Sequence, residues 1–278
     1  MTDSSWFADV KAAVKRFSDA EVSDRAAALA YYGFLSLFPI LIVGVAVLAL
    51  VGSYPETYNA IVDALHDAAP GTVADLIDSA LRDALRERGQ AGGLLGLALV
   101  LALISGSGGT AAAIRALEAI EDRRGESGTA RGWLTRLWLT LALMALFLVG
   151  FVALLVAGPL FSSIADAAGL DQSTRSLVSL LRYPVGLLAL FSAFLLLYWR
   201  GPAGPRRRPA AYVPGAGLAS GLWVLASVGF SVYVANFSTY DATYGALGTV
   251  IVLLVWLYLG NMAFLLGGLF NAERLRRR

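Results

Sequence analysis

The chain has 278 residues, of which 58% are hydrophobic and 15% are charged, and its formal net charge is +2. Soluble domains are about half apolar and about a quarter charged, so this composition excludes an ordinary soluble protein and indicates a membrane protein. The sequence contains no cysteine, which excludes disulfides, thiolate metal sites and thiol catalysis.

Residues 1–25 form a charged segment without the central apolar run of a cleavable signal, so none is expected. Apolar side chains recur at helical spacing on one face of this segment: Trp6, Phe7, Val10, Ala13, Val14 and Phe17. The pattern predicts an amphipathic helix on the cytoplasmic membrane surface. A helix packed against the inner face of the bundle is the alternative.

Six apolar stretches follow, at about 26–52, 91–114, 133–161, 177–199, 210–236 and 244–271. Each reaches the ~20 residues that cross a hydrocarbon layer of ~30 Å. Lipid offers no partners to free backbone groups, and the alternating pattern of a barrel is absent, so the spans are expected to be helices. The predicted fold is all-α: one polytopic membrane domain over 1–278 with a bundle of six transmembrane helices.

Basic residues are unevenly distributed between the two sides of this predicted bundle. Of the 22 Lys and Arg residues, 17 fall before the first span, after the sixth, or between spans two and three or four and five. The positive-inside rule therefore predicts that both termini are cytoplasmic. Because helix ends need such cations for topology alone, no nucleic-acid partner is expected.

Residues 53–90, on the opposite side, are predicted to form two short helices that cap the bundle, separated by Pro70 and Gly71. The acids of this cap are Glu56, Asp63, Asp67, Asp75, Asp78, Asp83 and Glu87. Their spacing is that of a solvated helix face, so no metal site is predicted.

The stretch from Ala102 to Leu117 contains the run Ser105-Gly-Ser-Gly-Gly-Thr110. A phosphate-binding P-loop needs a Lys after its last Gly and a preceding strand, and here Gly109 is followed by Thr110. The chain is therefore expected to have no ATPase of its own. In a membrane helix the same residues serve either close helix packing or a local break that lines a cavity, and both alternatives stay open.

Polar residues within the spans mark a candidate substrate path, because such groups are costly in hydrocarbon. Pro39 is expected to kink the first span. Arg182 is suited either to hold a phosphate or carboxylate or to snorkel to the headgroups. Asn261 is expected to donate to another helix, and Tyr233, Tyr240 and Tyr244 to form an outer aromatic belt. The full candidate set is Tyr31, Ser36, Pro39, Ser105, Ser107, Arg115, Arg182, Tyr244 and Asn261.

Groups for hydrolytic catalysis are sparse. His66 is the only histidine, and the acids predicted on the cytoplasmic side are Glu118, Glu121, Asp122 and Glu126. Phosphodiester hydrolysis commonly uses carboxylate-held metals or histidine acid–base pairs. The sequence therefore predicts no enzyme and no cofactor.

Three stretches, 26–52, 180–199 and 214–273, resemble the YihY/BrkB family of bacterial inner-membrane proteins. The most specific parts are the Ser36–Pro39 element "SLFP", the pair Tyr244–Gly245, and the Gly-x-x-x-Asn-Ala-Glu element from Gly267 to Glu273. The resemblance implies six transmembrane helices. It also implies an old label of ribonuclease BN, widely regarded as a misassignment, and no secure activity.

The leading hypothesis is a transporter or lipid-handling protein for an anionic or amphipathic substrate. Its arginines and cytoplasmic basic ring would attract that substrate, and membrane lipids are the expected partners. A structural or assembly protein of the cell envelope is the alternative. A ribonuclease acting on transfer RNA is the third hypothesis.

Overall fold

The structure, a computed structural model, describes residues 3–51, 91–122, 130–156, 171–202, 207–235 and 246–277. Within these ranges every secondary-structure element is a helix, which confirms the predicted all-α class. The α-helices are α1 Asp3–Lys15, α2 Val22–Val51, α3 Ala91–Ile120, α4 Ala130–Val156, α5 Gln172–Arg200, α6 Val213–Ala235 and α7 Ala246–Arg276, with a 3-10 helix at Pro209–Ala211.

Five stretches within the described ranges are long and apolar enough to cross a membrane. They are Val100–Ile120, Gly132–Gly150, Leu180–Arg200, Val213–Tyr233 and Val250–Arg276. They correspond to the second through sixth predicted spans and confirm a multi-pass protein. The first predicted span falls in α2, and the total of six stays a prediction. The predicted cap at 53–90 lies outside the described residues.

The helices divide into two compact units. Unit 1 comprises Met1–Leu35, Gly106–Leu143 and Phe191–Arg278, and unit 2 comprises Ser36–Ser105 and Met144–Leu190. In unit 1, α7 packs against both α1 and α6. Its most deeply buried apolar side chains include Leu117, Ile120, Leu265, Leu269 and Phe270.

Unit 2 is held together by small and medium apolar side chains. Ala102 of α3 and Met144 of α4 are buried, and Leu103 and Leu148 pack against them. Gly150 of α4 lies close to α5, since a Cβ there would be 3.7 Å from that of Ala189. Small residues at these positions let neighbouring helices approach closely, as expected in a membrane bundle.

The predicted apolar face of α1 is partly buried in the protein and partly exposed. Ala13 is buried and Val14 is 62% exposed, and Asp9, which is not part of that face, is only 5% exposed. The Asp9 carboxylate pairs with Arg277 at 3.3 Å, which compensates the cost of burying its charge. Helix α1 therefore packs on α7, as in the alternative interpretation. Its position at a membrane surface stays a prediction.

A tight turn connects α1 to α2. Glu21 has φ 49°, in the left-handed region, and the backbone N–H of Val22 donates to the Phe17 carbonyl at 3.3 Å. The buried side chain of Val22 then begins α2. This turn fixes where Arg16 lies relative to the start of α2.

Candidate functional site

The Ser/Gly run of α3 is an unbroken helix. The Ser105 hydroxyl donates to the Leu101 carbonyl at 2.8 Å, and the Thr110 hydroxyl donates to the Gly106 carbonyl at 2.9 Å. The buried Thr140 hydroxyl of α4 lies 3.1 Å from that of Thr110. The hydroxyls of Ser105 and Thr110 are thus satisfied within α3 and, for Thr110, also across the contact with α4. The run therefore serves close helix packing, and α3 has no local break at these residues.

The glycines of this run form a flat surface for α2. A Cβ at Gly108 or Gly109 would lie 3.6 Å from the side chain of Tyr32. The neighbouring Tyr31 is 58% exposed, with its ring 5.9 Å from that of Tyr32 at 68°. The glycines thus hold Tyr32 against α3 and leave Tyr31 facing outward.

The same part of α2 also contacts α7. A Cβ at Gly33 would lie 3.7 Å from Leu257, and the Ser23 and Tyr258 hydroxyls are 2.8 Å apart. One turn beyond Leu257, the Asn261 amide donates to the Leu257 carbonyl at 2.8 Å. This bond lies within α7 and uses one of the two amide N–H groups of Asn261, so donation to another helix stays a prediction.

The remaining candidate residues are distributed over both units. In unit 1, Ser107 is half-buried, and Arg115 is exposed five residues before the end of the span Val100–Ile120. In unit 2, Ser36 is half-buried. Pro39 lies in α2, where the structure describes no side chain, and Tyr244 lies outside the described residues.

Arg182 lies in the interior of α5, which begins at Gln172. Its Nη2 donates to the Tyr183 hydroxyl at 2.7 Å, and its guanidinium carbon is 4.6 Å from the Tyr183 ring centroid. A tyrosine beside an arginine is typical of a membrane interface. Both interpretations of Arg182, snorkelling and anion binding, remain open.

Glu118 is a buried acid on a helix that is longer than the predicted second span. The second span was predicted to end at residue 114, which placed Glu118 in a cytoplasmic connection. The structure continues α3 to Ile120, and Glu118 is only 6% exposed within the span Val100–Ile120. The alanine-rich segment before it, Ala111–Ala113 and Ala116, is buried and indicates that the helix continues.

Helices α6 and α7 meet along a continuous line of contacts, here called the α6–α7 seam. Trp256 donates to the Ser227 hydroxyl at 3.1 Å, and its ring is 5.5 Å from that of Trp223 at 67°. A Cβ at Gly260 would lie 3.0 Å from Trp223 Nε1. The seam comprises Gly215, Ala219, Trp223 and Ser227 of α6, and Trp256, Gly260, Gly267 and Asn271 of α7.

The Gly-x-x-x-Asn-Ala-Glu element occupies one end of this seam. A Cβ at Gly267 would lie 2.5 Å from the Gly215 carbonyl oxygen, so only glycine permits this backbone approach. Asn271, 2% exposed, accepts from the Gly215 N–H at 3.0 Å and donates to the Tyr212 carbonyl at 3.2 Å. Because Gly215 is in the first turn of α6, Asn271 caps that helix from outside it.

Tyr198 joins α5 to the same end of α7. Its buried hydroxyl donates to the Phe264 carbonyl, and the two rings are stacked with centroids 5.3 Å apart. A Cβ at Gly267 would also lie 2.7 Å from this hydroxyl. The missing side chain of Gly267 therefore lets both α5 and α6 approach α7 closely.

Glu273 belongs to a group of charged side chains here called the terminal ion-pair cluster, which comprises Asp9, Arg16, Asp122, Glu273, Arg276 and Arg277. Arg16 contacts Glu273 at 2.7 Å, Asp122 at 3.1 Å and the Ile120 carbonyl at 3.4 Å. Arg276 pairs with Asp122 and lies 3.6 Å from Glu273. The cluster thus joins the α1–α2 turn to the ends of α3 and α7.

The cluster also sets the electrostatics of this end of unit 1. The hydrogen bond from Arg276, with the charges of Arg276 and Arg16, holds the pKa of Asp122 below its usual range. Asp122 has φ 54°, which an Asp tolerates better than most residues. Three cations of the expected basic ring, Arg16, Arg276 and Arg277, are therefore neutralised by acids, whereas Lys11, Lys15 and Arg208 are exposed.

The comparison with known proteins identifies the family. The family model described as virulence factor BrkB matches residues 13–278. The chain belongs to the BrkB family. This BrkB protein is 31% identical to the ribonuclease-like protein YfkH of Bacillus subtilis, over 97% of this chain and 96% of that protein.

Two further relatives are named as membrane proteins. The UPF0761 membrane protein PSHAa0171 of Pseudoalteromonas translucida is 28% identical over 93% of this chain and 83% of its own length. The UPF0761 membrane protein of Alkalilimnicola ehrlichii is 27% identical over 92% of this chain but only 56% of its own length. No solved structure gives a significant match.

Membership of the BrkB family establishes the chain as an integral membrane protein and confirms the resemblance found in the sequence. The word ribonuclease-like describes the Bacillus relative. Of the acids considered for hydrolysis in this BrkB protein, Glu118 is buried and Asp122 is ion-paired. In the parts of the chain that the structure describes, no three His, Asp or Glu side chains are grouped to hold a metal ion.

Proposed function

We propose that this BrkB protein transports or otherwise handles an anionic or amphipathic substrate, with bilayer lipids as its partners. Arg115 is the observation that carries the proposal. It is exposed, and it makes no hydrogen bond or ion pair with any residue of the described ranges. It lies before the end of α3 at Ile120, in a helix that is long and apolar enough to cross a membrane.

A cation beside an apolar helix segment requires water, a headgroup or an anionic ligand, because an arginine within the hydrocarbon is costly. Two further polar residues of the candidate path support the proposal. Tyr31 of α2 is 58% exposed and carries a phenol hydroxyl. Arg182 of α5 supplies a second guanidinium, which the predicted topology assigns to the opposite membrane face.

Vesicle reconstitution tests the proposal. Purified protein is placed in vesicles with fluorescent phosphatidylglycerol or phosphatidylethanolamine in one leaflet, and exchange between leaflets is followed by chemical quenching. We expect protein-dependent movement that falls at least about tenfold in Arg115→Gln, because a charge-assisted phosphate contact is lost. The matched control Arg208→Gln removes one exposed arginine of the basic ring outside the spans and is expected to lower the rate much less than Arg115→Gln, because the other cations of the ring remain.

Three results would contradict the proposal. They are vesicles in which no labelled lipid or organic anion moves, equal rates in Arg115→Gln and wild type, and equal losses in the two variants. Inert vesicles that contain folded protein would favour the structural or assembly role.

A further inference from the structure

The structure assigns a second phosphate site to Arg200, Trp199 and Trp138, and we infer that it holds the headgroup of an anionic phospholipid. Arg200 ends the span Leu180–Arg200. Its guanidinium carbon lies 4.0 Å from the ring centroid of Trp199 and 5.6 Å from that of Trp138 on α4. Two tryptophans from neighbouring helices therefore fix one arginine at the end of a span.

The charge of Arg200 has no protein counter-ion in the described ranges. Every arginine of the terminal ion-pair cluster has a carboxylate within 4 Å, but Arg200 has none among the described residues. Its Nε is enclosed by protein without a hydrogen-bond acceptor in those ranges. Stacking on an indole uses the faces of a guanidinium and leaves its in-plane N–H groups for a forked contact with a phosphate.

The surface beside Arg200 identifies the source of the phosphate as lipid. Leu134, Trp138 and Leu141 recur at helical spacing on α4 and are 59%, 47% and 47% exposed. All three belong to the span Gly132–Gly150, so this stripe faces acyl chains rather than water. A lipid with its phosphate at Arg200 can lay a chain along the stripe, whereas a free phosphate or nucleotide gains nothing from it.

The site does not depend on transport, since a lipid can remain bound while no substrate moves. Native mass spectrometry of the delipidated full chain in non-ionic detergent tests it. The chain is titrated with phosphatidylglycerol, with phosphatidylcholine, and with inorganic phosphate as competitor. We expect one phosphatidylglycerol to bind more tightly than later ones, with phosphatidylcholine binding at least about tenfold more weakly.

Arg200→Gln is expected to weaken the first phosphatidylglycerol by about tenfold or more, while Arg208→Gln retains it. If Arg200→Gln does not fold, Arg200→Lys keeps the charge but loses the planar fork, and it is expected to bind with reduced affinity. Unchanged affinity in the folded Arg200 variant would overturn the site. Equal loss in Arg208→Gln, equal binding of phosphatidylcholine, or displacement by inorganic phosphate at the lipid's own concentration would also overturn it.

Discussion

Replacing Asn271 by alanine tests the packing that the family motif creates. The side chain is 2% exposed and makes two hydrogen bonds to the start of α6. Without it the Gly215 N–H is left buried and unsatisfied, which costs about 1–3 kcal/mol. The Tyr212 carbonyl keeps the Ala216 N–H at 3.1 Å, so losing the second bond adds only about 1 kcal/mol. The expected destabilisation is about 2–4 kcal/mol.

Asn261→Ala is the matched control, because among the described residues that amide donates to its own helix. Its expected cost is below about 1 kcal/mol. Thermal unfolding of detergent-solubilised protein, followed by tryptophan fluorescence, measures both, since Trp223 and Trp256 lie in the α6–α7 seam. We expect Asn271→Ala to lower the apparent Tm by about 4–16 °C. A Tm equal to that of wild type or of Asn261→Ala would refute the capping role of Asn271.

Gly267→Ala is expected to destabilise the protein by at least about 2 kcal/mol in the same unfolding assay, because its Cβ would lie 2.5 Å from a backbone oxygen. A Cβ at Gly217 would meet nothing within 4 Å, so Gly217→Ala should be neutral or stabilising by up to about 1 kcal/mol. Equal effects of the two variants would contradict the close approach of α6 and α7 at Gly267. Because the pKa of Asp122 is lowered in the folded state, its contribution to folding stability is complete above the unfolded pKa and is lost as the pH falls through the folded pKa. Asp122→Asn should remove this loss of stability at acid pH, at a cost below about 1 kcal/mol at pH 7. A pH profile of Tm equal to that of wild type would contradict this role of Asp122. Tyr198→Phe should lower the free energy of unfolding by about 0.5–1.5 kcal/mol, because the hydrogen bond to the Phe264 carbonyl is lost. An unchanged Tm would show that this hydrogen bond does not stabilise the protein.

Most of the fold follows from the sequence, because long apolar stretches in lipid have few alternatives to helices. What the sequence does not show is how charges are placed at helix ends. The second span is predicted to end at residue 114, before Arg115 and Glu118, and buried alanines continue the helix α3 to Ile120. In α1 the apolar pattern gives no sign that Asp9 is buried and paired with Arg277.

The sequence indicates which residues belong to the candidate site, but it does not indicate which side chains they contact. The element from Gly267 to Glu273 was singled out, but its chemistry depends on how closely α6 approaches α7, which no single segment specifies. The same holds for Arg200, whose second tryptophan comes from α4. The contact of Tyr32 with the glycines of α3 was partly predictable. Small residues predict that another helix approaches closely, but they do not specify which helix it is.

The terminal ion-pair cluster holds the N-terminal helix against the end of α7, and we expect both to lie at the cytoplasmic membrane face. The chain has no cysteine, so single cysteines at Val14 and Arg274 can be labelled in an otherwise unreactive protein. An impermeant maleimide is applied to intact cells and to inverted membrane vesicles. We expect neither variant to react in intact cells and both to react in inverted vesicles. Labelling of the two positions from opposite faces would contradict their placement on one membrane face. Labelling of both from outside the cell would contradict the cytoplasmic location of that face.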